Sequence, residues 1–281
     1  MRLADAAQLQ KSWHANLHLR FERRDARSVL ATRSHDGPLV VQKALYPEGD
    51  AVCHAIVVHP PAGVAGGDEL AIDIHAAEGA HVLLTTPGAG KWYRTPGPWA
   101  RQSIAIEARH GAIVEWLPQE TIVFDGALAR LSMDVNLQGD ACYIGWEILC
   151  LGRKGSGEGF ETGRCRFSSA LHRDGRLAWR ERAHIGPDGI VAKSRAGLGG
   201  RSVVGTMIAA ALTIEDSLLS TCREASPRSG EGAVTRLPGV IVARYLGDSG
   251  EAAREYFAAL WSRIRPAIGG REAMAPRIWS T

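Results

Sequence analysis

The sequence predicts a mainly β protein with a few α-helices, including one near the C-terminus. Three observations lead there. Short runs rich in β-branched and apolar residues follow one another from residue 28 to residue 213, separated by Gly, Pro and Asp clusters, the punctuation that strands require. Several of these runs alternate apolar with polar residues, the period-2 pattern of a half-buried strand. Clear helical periodicity is confined to one segment near the end, 248–266.

Taken in order, 28–33, 38–45 and 52–59 read as strands separated by His35-Asp36-Gly37 and Glu48-Gly49-Asp50. In 70–75, Leu70, Ile72 and Ile74 oppose Ala71, Asp73 and His75, which gives one buried face. Strands at 81–85, 103–107 and 112–117 continue the series, and 130–137 places Leu131, Met133, Val135 and Leu137 on one face. Segments 165–171 and 176–185 flank Arg173-Asp174-Gly175, an Asp-Gly hairpin signal. Residues 143–151 are apolar on both faces, so that strand is buried on both sides with Glu147 inside.

Residues 203–212 are apolar and alanine-rich and fit either a buried helix or a strand; 224–231 reads as an exposed loop. In the last helix Asp248 is placed to cap and Glu251 to reach back from N3. Ala253, Tyr256, Phe257, Leu260, Trp261 and Ile264 form its apolar stripe, and Pro266 with Gly269-Gly270 ends it. The chain reads as a single domain over 1–281, mostly β to about residue 213 with a helical C-terminal part.

An apolar content of 45% with 22% charged residues is enough to build a core. A net charge of +3 is small for 281 residues and gives no reason to expect nucleic-acid or membrane binding. No apolar run reaches the ~18 residues of a spanning helix, and residues 1–6 lack a basic-then-apolar signal pattern; a cytoplasmic location is expected. Five cysteines, an odd number without a Cys-x-x-Cys pair, argue against a disulfide framework and a structural zinc site.

Gly88-Ala89-Gly90-Lys91 invites a phosphate-loop reading but fails it. Thr85 stands where glycine is needed, and Trp92 stands where a magnesium-binding hydroxyl must follow the lysine. His54 and His59, five apart in a strand-like run, point to opposite faces, while His75 and His81 could approach across a hairpin. Glu115, between Val114 and Trp116, has a buried setting like that of Glu147. Burying a lone carboxylate costs several kcal/mol or more, so each needs a cation, donors, a proton or water. Glu181 has Arg180 and Arg182 beside it. These carboxylates fit either buried ion pairs or an internal polar path open to a divalent cation.

The turns carry the further signal. Trp13-His14-Ala15-Asn16-Leu17, His59-Pro60-Pro61, Gly63, Gly66-Gly67-Asp68, Thr85-Thr86-Pro87, Tyr93-Arg94, Trp116-Leu117-Pro118-Gln119-Glu120, Leu151-Gly152-Arg153 and Pro276-Arg277-Ile278-Trp279 occur in this order along the chain. Together they resemble the signature of the urease accessory protein UreD (UreH) family. Ala62, Gly88 and Trp92 depart from it, standing where glycine, alanine and phenylalanine are expected.

The resemblance implies two stacked β layers, β-helix-like, with a few helices. It implies no enzymatic activity, no permanently bound cofactor and a role as scaffold or chaperone. Such a scaffold binds apo-urease and recruits UreF and the GTPase UreG, and nickel passes transiently through an internal polar tunnel. Asp68, Glu120, Glu147 and Glu181 are the acidic positions expected to line that path. Trp261, Tyr256 and the tail through Trp279 are either docking elements or the aromatics that seal the last helix onto the sheet. The alternative is a β-helical carboxylate-dependent hydrolase or lyase using a pair such as Glu115 and Glu147.

Overall fold

The computed structural model describes residues 12–187 and 189–280; residues 1–6, read above for a signal pattern, lie outside them. Two hairpins open the chain: β1 (His14–Arg24) with β2 (Arg27–Asp36), and β3 (Val40–Leu45) with β4 (Cys53–Val58). The chain then winds between two sheets through β5 (Glu69–Ala76), β6 (His81–Thr85), β7 (Gly90–Trp92), β8 (Ala100–Ala108), β9 (Ile113–Trp116), β10 (Thr121–Val123), β11 (Leu128–Leu137), β12 (Cys142–Leu151), β13 (Arg164–Arg173) and β14 (Arg176–Ile185). After the short α1 (Ile190–Lys193) come β15 (Val203–Ala210), α2 (Asp216–Arg223), β16 (Glu231–Leu237), β17 (Val240–Gly247) and α3 (Gly250–Gly269).

One sheet runs in the order β14-β13-β11-β8-β5-β1-β2, and the other in the order β16-β17-β15-β12-β9-β6-β4-β3, with β10 paired to β12 and β7. The central strands are parallel because each coil returns to a sheet one position along from where it left. The result is the expected mainly β stack of two layers in a β-solenoid-like arrangement. Its inner faces meet through residues such as Leu17, Ile72, Val82, Ile106, Val114 and Val135. A second apolar cluster lies on the other side of β12, where Ile144, Trp146 and Ile148 meet Phe257, Leu260 and Trp261 of α3. That strand is apolar on both sides, as its sequence requires.

The segment 203–212 resolves as strand β15. It bonds antiparallel to β12 and β17, and Val203, Val204 and Ile208 are β-branched residues suited to that place. The part beyond residue 213 is not wholly helical: β16 and β17 form a hairpin between α2 and α3. β16 escapes sequence reading because it is an edge strand in which Val234 alone is buried. The 173–175 hairpin forms as expected, with Asp174 at φ 50° and Gly175 at φ 75°.

The expected capping of α3 is corrected. Ser249, not Asp248, is the N-cap, its hydroxyl accepting the Ala252 N–H at 3.1 Å. Asp248 instead binds Lys154 Nζ at 2.6 Å, Arg201 Nη1 at 2.9 Å and the Ser202 N–H at 3.1 Å. Glu251 faces Arg228 rather than the cap. The helix runs through Pro266 and stops at Gly270, which takes φ 64°. Ser249→Ala should therefore destabilise the protein by about 1 kcal/mol. Urea denaturation measures this, and an unchanged midpoint would remove Ser249 as the start signal.

Candidate functional site

β12 is longer than the strands beside it, and that mismatch creates an opening. Cys142 to Gly145 pair with β9, and Leu149 to Leu151 pair with β10. Residues 146–148 lie opposite the Leu117-Pro118-Gln119-Glu120 corner that joins those two short strands. A cavity of about 420 Å³ lies here, lined by Glu147, Thr121, Gln119, Trp116, His59 and Lys91 among others. Thr121 donates its hydroxyl to Glu147 Oε1 at 2.6 Å, and among the described residues no cation reaches this carboxylate. Burial pushes its pKa from 4.5 to about 7, against the smaller opposing effect of the Thr121 hydrogen bond. Near neutrality Glu147 is therefore poised between its acid and its anion. Around it, the buried His59 Nε2 and Trp116 Nε1 have no protein hydrogen-bond partner among the described residues. Burial also pushes His59 below the usual imidazole range, opposed by the charge of Asp68.

The signature turns build this wall. A Cβ on Gly63 would lie 2.1 Å from the Tyr93 ring and displace it, and one on Gly66 would lie 2.0 Å from Thr95 Oγ1 and 2.8 Å from the Pro98 carbonyl, which cannot swing aside. Ala62 takes φ 61°, which explains why glycine is expected there, since a left-handed alanine costs about 1 kcal/mol. Thr85 donates to the Leu117 carbonyl at 2.6 Å, and Thr86 accepts the Gln119 N–H at 2.9 Å. Successive corners are thereby tied together. Gly90-Lys91-Trp92 form β7, in place of a phosphate-binding turn.

Two other carboxylates are held by cations. Arg265 of α3, fully buried, donates through Nε to both oxygens of the equally buried Glu115, at 3.0 and 3.1 Å. Its other nitrogens reach Glu48 at 2.6 and 2.8 Å. Trp261 Nε1 donates to Glu115 at 2.6 Å, while His81 and His54 contact Glu115 and Glu48 at 2.8 and 2.6 Å. Burial pushes Glu48 up, but hydrogen bonds from His54 and Arg265 outweigh it and hold the pKa at about 2. Sequence reading missed Glu48 and Arg265, whose only signal was a cation one turn beyond Trp261.

The four acidic positions expected on one path are not brought together. Glu147 alone lines the cavity. Glu181 is bound by Arg244 and by Thr206, whose hydroxyl lies 3.0 Å away, rather than by the neighbouring Arg180 or Arg182. The register nonetheless places Thr206 beside Glu147 on adjoining strands, so Glu147 and Glu181 lie along one polar seam between the layers. Asp68 closes a turn, accepting the Trp13 and Ala65 N–H groups at 2.8 and 2.7 Å. Glu120 pairs with Arg254 of α3 at 3.1 Å.

Other expectations are corrected here. Glu115 and Glu147 face opposite sides of one sheet, so they do not act as a catalytic pair. His75 and His81 lie in different sheets and pair with Glu107 and Glu115. Tyr256 and Trp261 are buried under α3, and Trp279 packs on Trp146 and Trp261 while donating to Thr85 at 2.8 Å. These aromatics seal the helix to its own sheet instead of awaiting a partner. Among the described residues no group of three His, Cys, Asp or Glu side chains is arranged to hold a metal ion, and no helix is long and apolar enough to cross a membrane.

A family model described as UreD urease accessory protein matches residues 14–280. A urease accessory protein UreD from Azoarcus sp. (strain BH72) is 53% identical over 274 residues, covering 97% of this chain and 95% of that protein. One from Dechloromonas aromatica (strain RCB) is 53% identical over 274 residues, covering 96% and 95%. One from Pseudomonas aeruginosa is 47% identical over 271 residues, covering 96% of each.

Two stability predictions follow from the contrast between these carboxylates. Arg265→Met strands two buried anions and should cost about 3–5 kcal/mol. Replacing Glu48 and Glu115 by apolar residues in the same variant should restore much of that in urea titrations, and failure to recover would mean packing, not charge, had been lost. For pH the signs are opposite. Glu48, depressed from 4.5 to about 2, stabilises fully above pH 4.5, and that stability is lost as pH falls toward 2. Glu147, raised from 4.5 to about 7, costs stability progressively as pH rises from 4.5 through 7. Glu147→Gln should flatten the stability profile across the latter window alone; an unchanged slope would show that Glu147 is not desolvated.

Proposed function

The chain belongs to the UreD urease accessory protein family, and on that premise we propose that it is a non-catalytic scaffold for urease maturation that binds apo-urease and recruits UreF and UreG. In this reading UreG hydrolyses GTP, and nickel is cargo moved toward the urease active site rather than a resident cofactor. The location is cytoplasmic.

The observation that carries the nickel part of the reading is Glu147, a half-buried carboxylate that no described cation reaches, opening on a cavity and pushed toward pH 7 by desolvation. A carboxylate neutralised by an arginine has little to offer a passing cation. One near its pKa can release its proton as the cation binds and take it back after the cation has passed, so the carboxylate offsets one of the two charges of the metal in transit and is left neutral afterwards. Thr121 holds the carboxylate in place, and the neutral His59 beside the cavity offers a second ligand of ordinary nickel chemistry. Beyond Glu147 the seam continues to Thr206, Arg244 and Glu181. Movement of Arg244 away from Glu181 would be needed to extend a path in that direction. Asp68 and Glu120 contribute by holding the turn and α3 that frame the route, not as stations along it.

Nickel content and activity of urease co-expressed with the accessory proteins, with and without this chain, test the role. Both should fall in its absence and return on adding it back; full loading without it would overturn the reading. Within the same assay, Glu147→Leu and Glu147→Gln should leave the partners bound yet lower nickel per urease several-fold. Wild-type nickel content in both variants would remove Glu147 from the route.

A further inference from the structure

Stacked parallel strands place equivalent residues in rows about 4.8 Å apart, and on the outer face of the β14-to-β2 sheet those rows carry charge. Across β1, β5 and β8 the charges alternate and satisfy one another. Arg101 pairs with Glu69 at 3.1 Å, His18 with Asp73 at 2.9 Å and His75 with Glu107 at 3.4 Å. The pattern breaks at β11. Arg130 lies directly beside Arg166, and Arg166 beside His184. One row along, Arg182 follows Ser132 and Ser168; in the next, Arg180 stands two strands from Asp134.

Arg130, Arg166, Arg180 and Arg182 form no salt bridge with a described carboxylate, and all four are exposed. Like charges directly opposite one another on a sheet are destabilising, so this face holds a cost that a partner of opposite charge would relieve. The guanidiniums of Arg166 and Arg130 lie over the Trp99 ring, 4.6 and 5.9 Å from its centroid. Stacking orders the planar groups while leaving N–H edges free for a bidentate acceptor. A recess of about 210 Å³, lined in part by Trp99, Arg166 and His184, lies beside them.

We propose that the outer face of β11, β13 and β14 is a docking surface for a protein partner presenting a row of carboxylates, with Arg166 and Arg130, ordered on Trp99, as its anchor. The inference rests on the maturation reading for the partner's source, an accessory or urease subunit of that assembly. A protein fits better than nucleic acid because the patch ends at β8, beyond which Glu69, Asp73 and Glu107 already occupy the neighbouring cations and leave no continuing run of free positive charge for a polyanionic strand.

The test uses the full chain co-expressed with apo-urease, UreF and UreG and purified at about 50 and about 500 mM salt, where screening of exposed charges differs strongly. Arg130→Glu with Arg166→Glu should lower retention of one component about tenfold or more while the other components and the melting temperature stay at wild-type values. Arg130→Lys with Arg166→Lys should fall between, because lysine keeps the charge and loses the fork. Wild-type retention of every component by the charge-reversed variant would overturn the proposal.

Should the wild-type chain retain none of them, the maturation reading fails by itself, and a glutamate-rich peptide then probes the face directly through Trp99 fluorescence. Binding lost on charge reversal would uphold the surface; no binding would end the proposal. A single-stranded oligonucleotide of equal charge binding more tightly than the peptide would also overturn it, making nucleic acid the occupant.

Discussion

The guanidinium of Arg265 is the tie on which the rest of the architecture depends. It joins α3 to Glu115 in β9 and to Glu48 in the turn after β3, partners 150 and 217 residues away in sequence. A fully buried cation is tolerable only because two carboxylates and the Glu272 carbonyl surround it. Such a cluster contributes less as net stabilisation than as geometry, since no other placement of α3 satisfies all of these groups together. With α3 fixed there, Trp146, Ile148 and Phe257 are closed off from water and that face of β12 is dry.

That closure decides the chemistry of the carboxylate on the other side. Glu147 faces the space between the layers, where the short neighbours of β12 break at the Leu117-Pro118 corner and leave a cavity. Glu115 and Glu147 stand on adjoining strands of one sheet, yet the first has a guanidinium, an indole N–H and an imidazole, and the second has one hydroxyl. Burial without a cation raises the pKa of Glu147 toward neutrality. The contrast separates a structural carboxylate from one left able to change its charge, a separation that reading the residues in isolation does not make.

Much of the architecture was legible because strands announce themselves locally. Alternation in 70–75 and 130–137, the Asp174-Gly175 turn and the stripe from Ala253 to Ile264 each depend on neighbours within a few residues, and each formed. The double burial of β12 was legible for the same reason. What failed depended on distance. Arg180 and Arg182 flank Glu181 in sequence, but in a strand they project to the face opposite it, and the partner comes from Arg244 on another sheet. Asp248 is as good a capping residue as Ser249 by composition; Lys154, 94 residues earlier, claims it. Glu48 looked like turn punctuation until the fold set Arg265 against it. Trp261 and Trp279 were left open between docking and sealing because an amphipathic stripe does not say whether its own sheet or a partner will cover it.

The same stacking that generates the core also generates the surface. In a parallel coil each outward residue meets its counterpart one coil later, so a row repeating one sign of charge cannot relieve itself by a small change of rotamer, whereas a row that alternates can. Glu69 and Arg101 illustrate the second case; Arg130 and Arg166 illustrate the first, relieved in part by Trp99. A net charge of +3 conceals this entirely, because the acidic side chains that balance the arginines are spent in pairs elsewhere on the sheet and in the cluster around Arg265. Charge shapes this surface through its register along the stack rather than through its total. The row of guanidiniums without a described carboxylate partner is therefore a property of the coil geometry that composition cannot reveal.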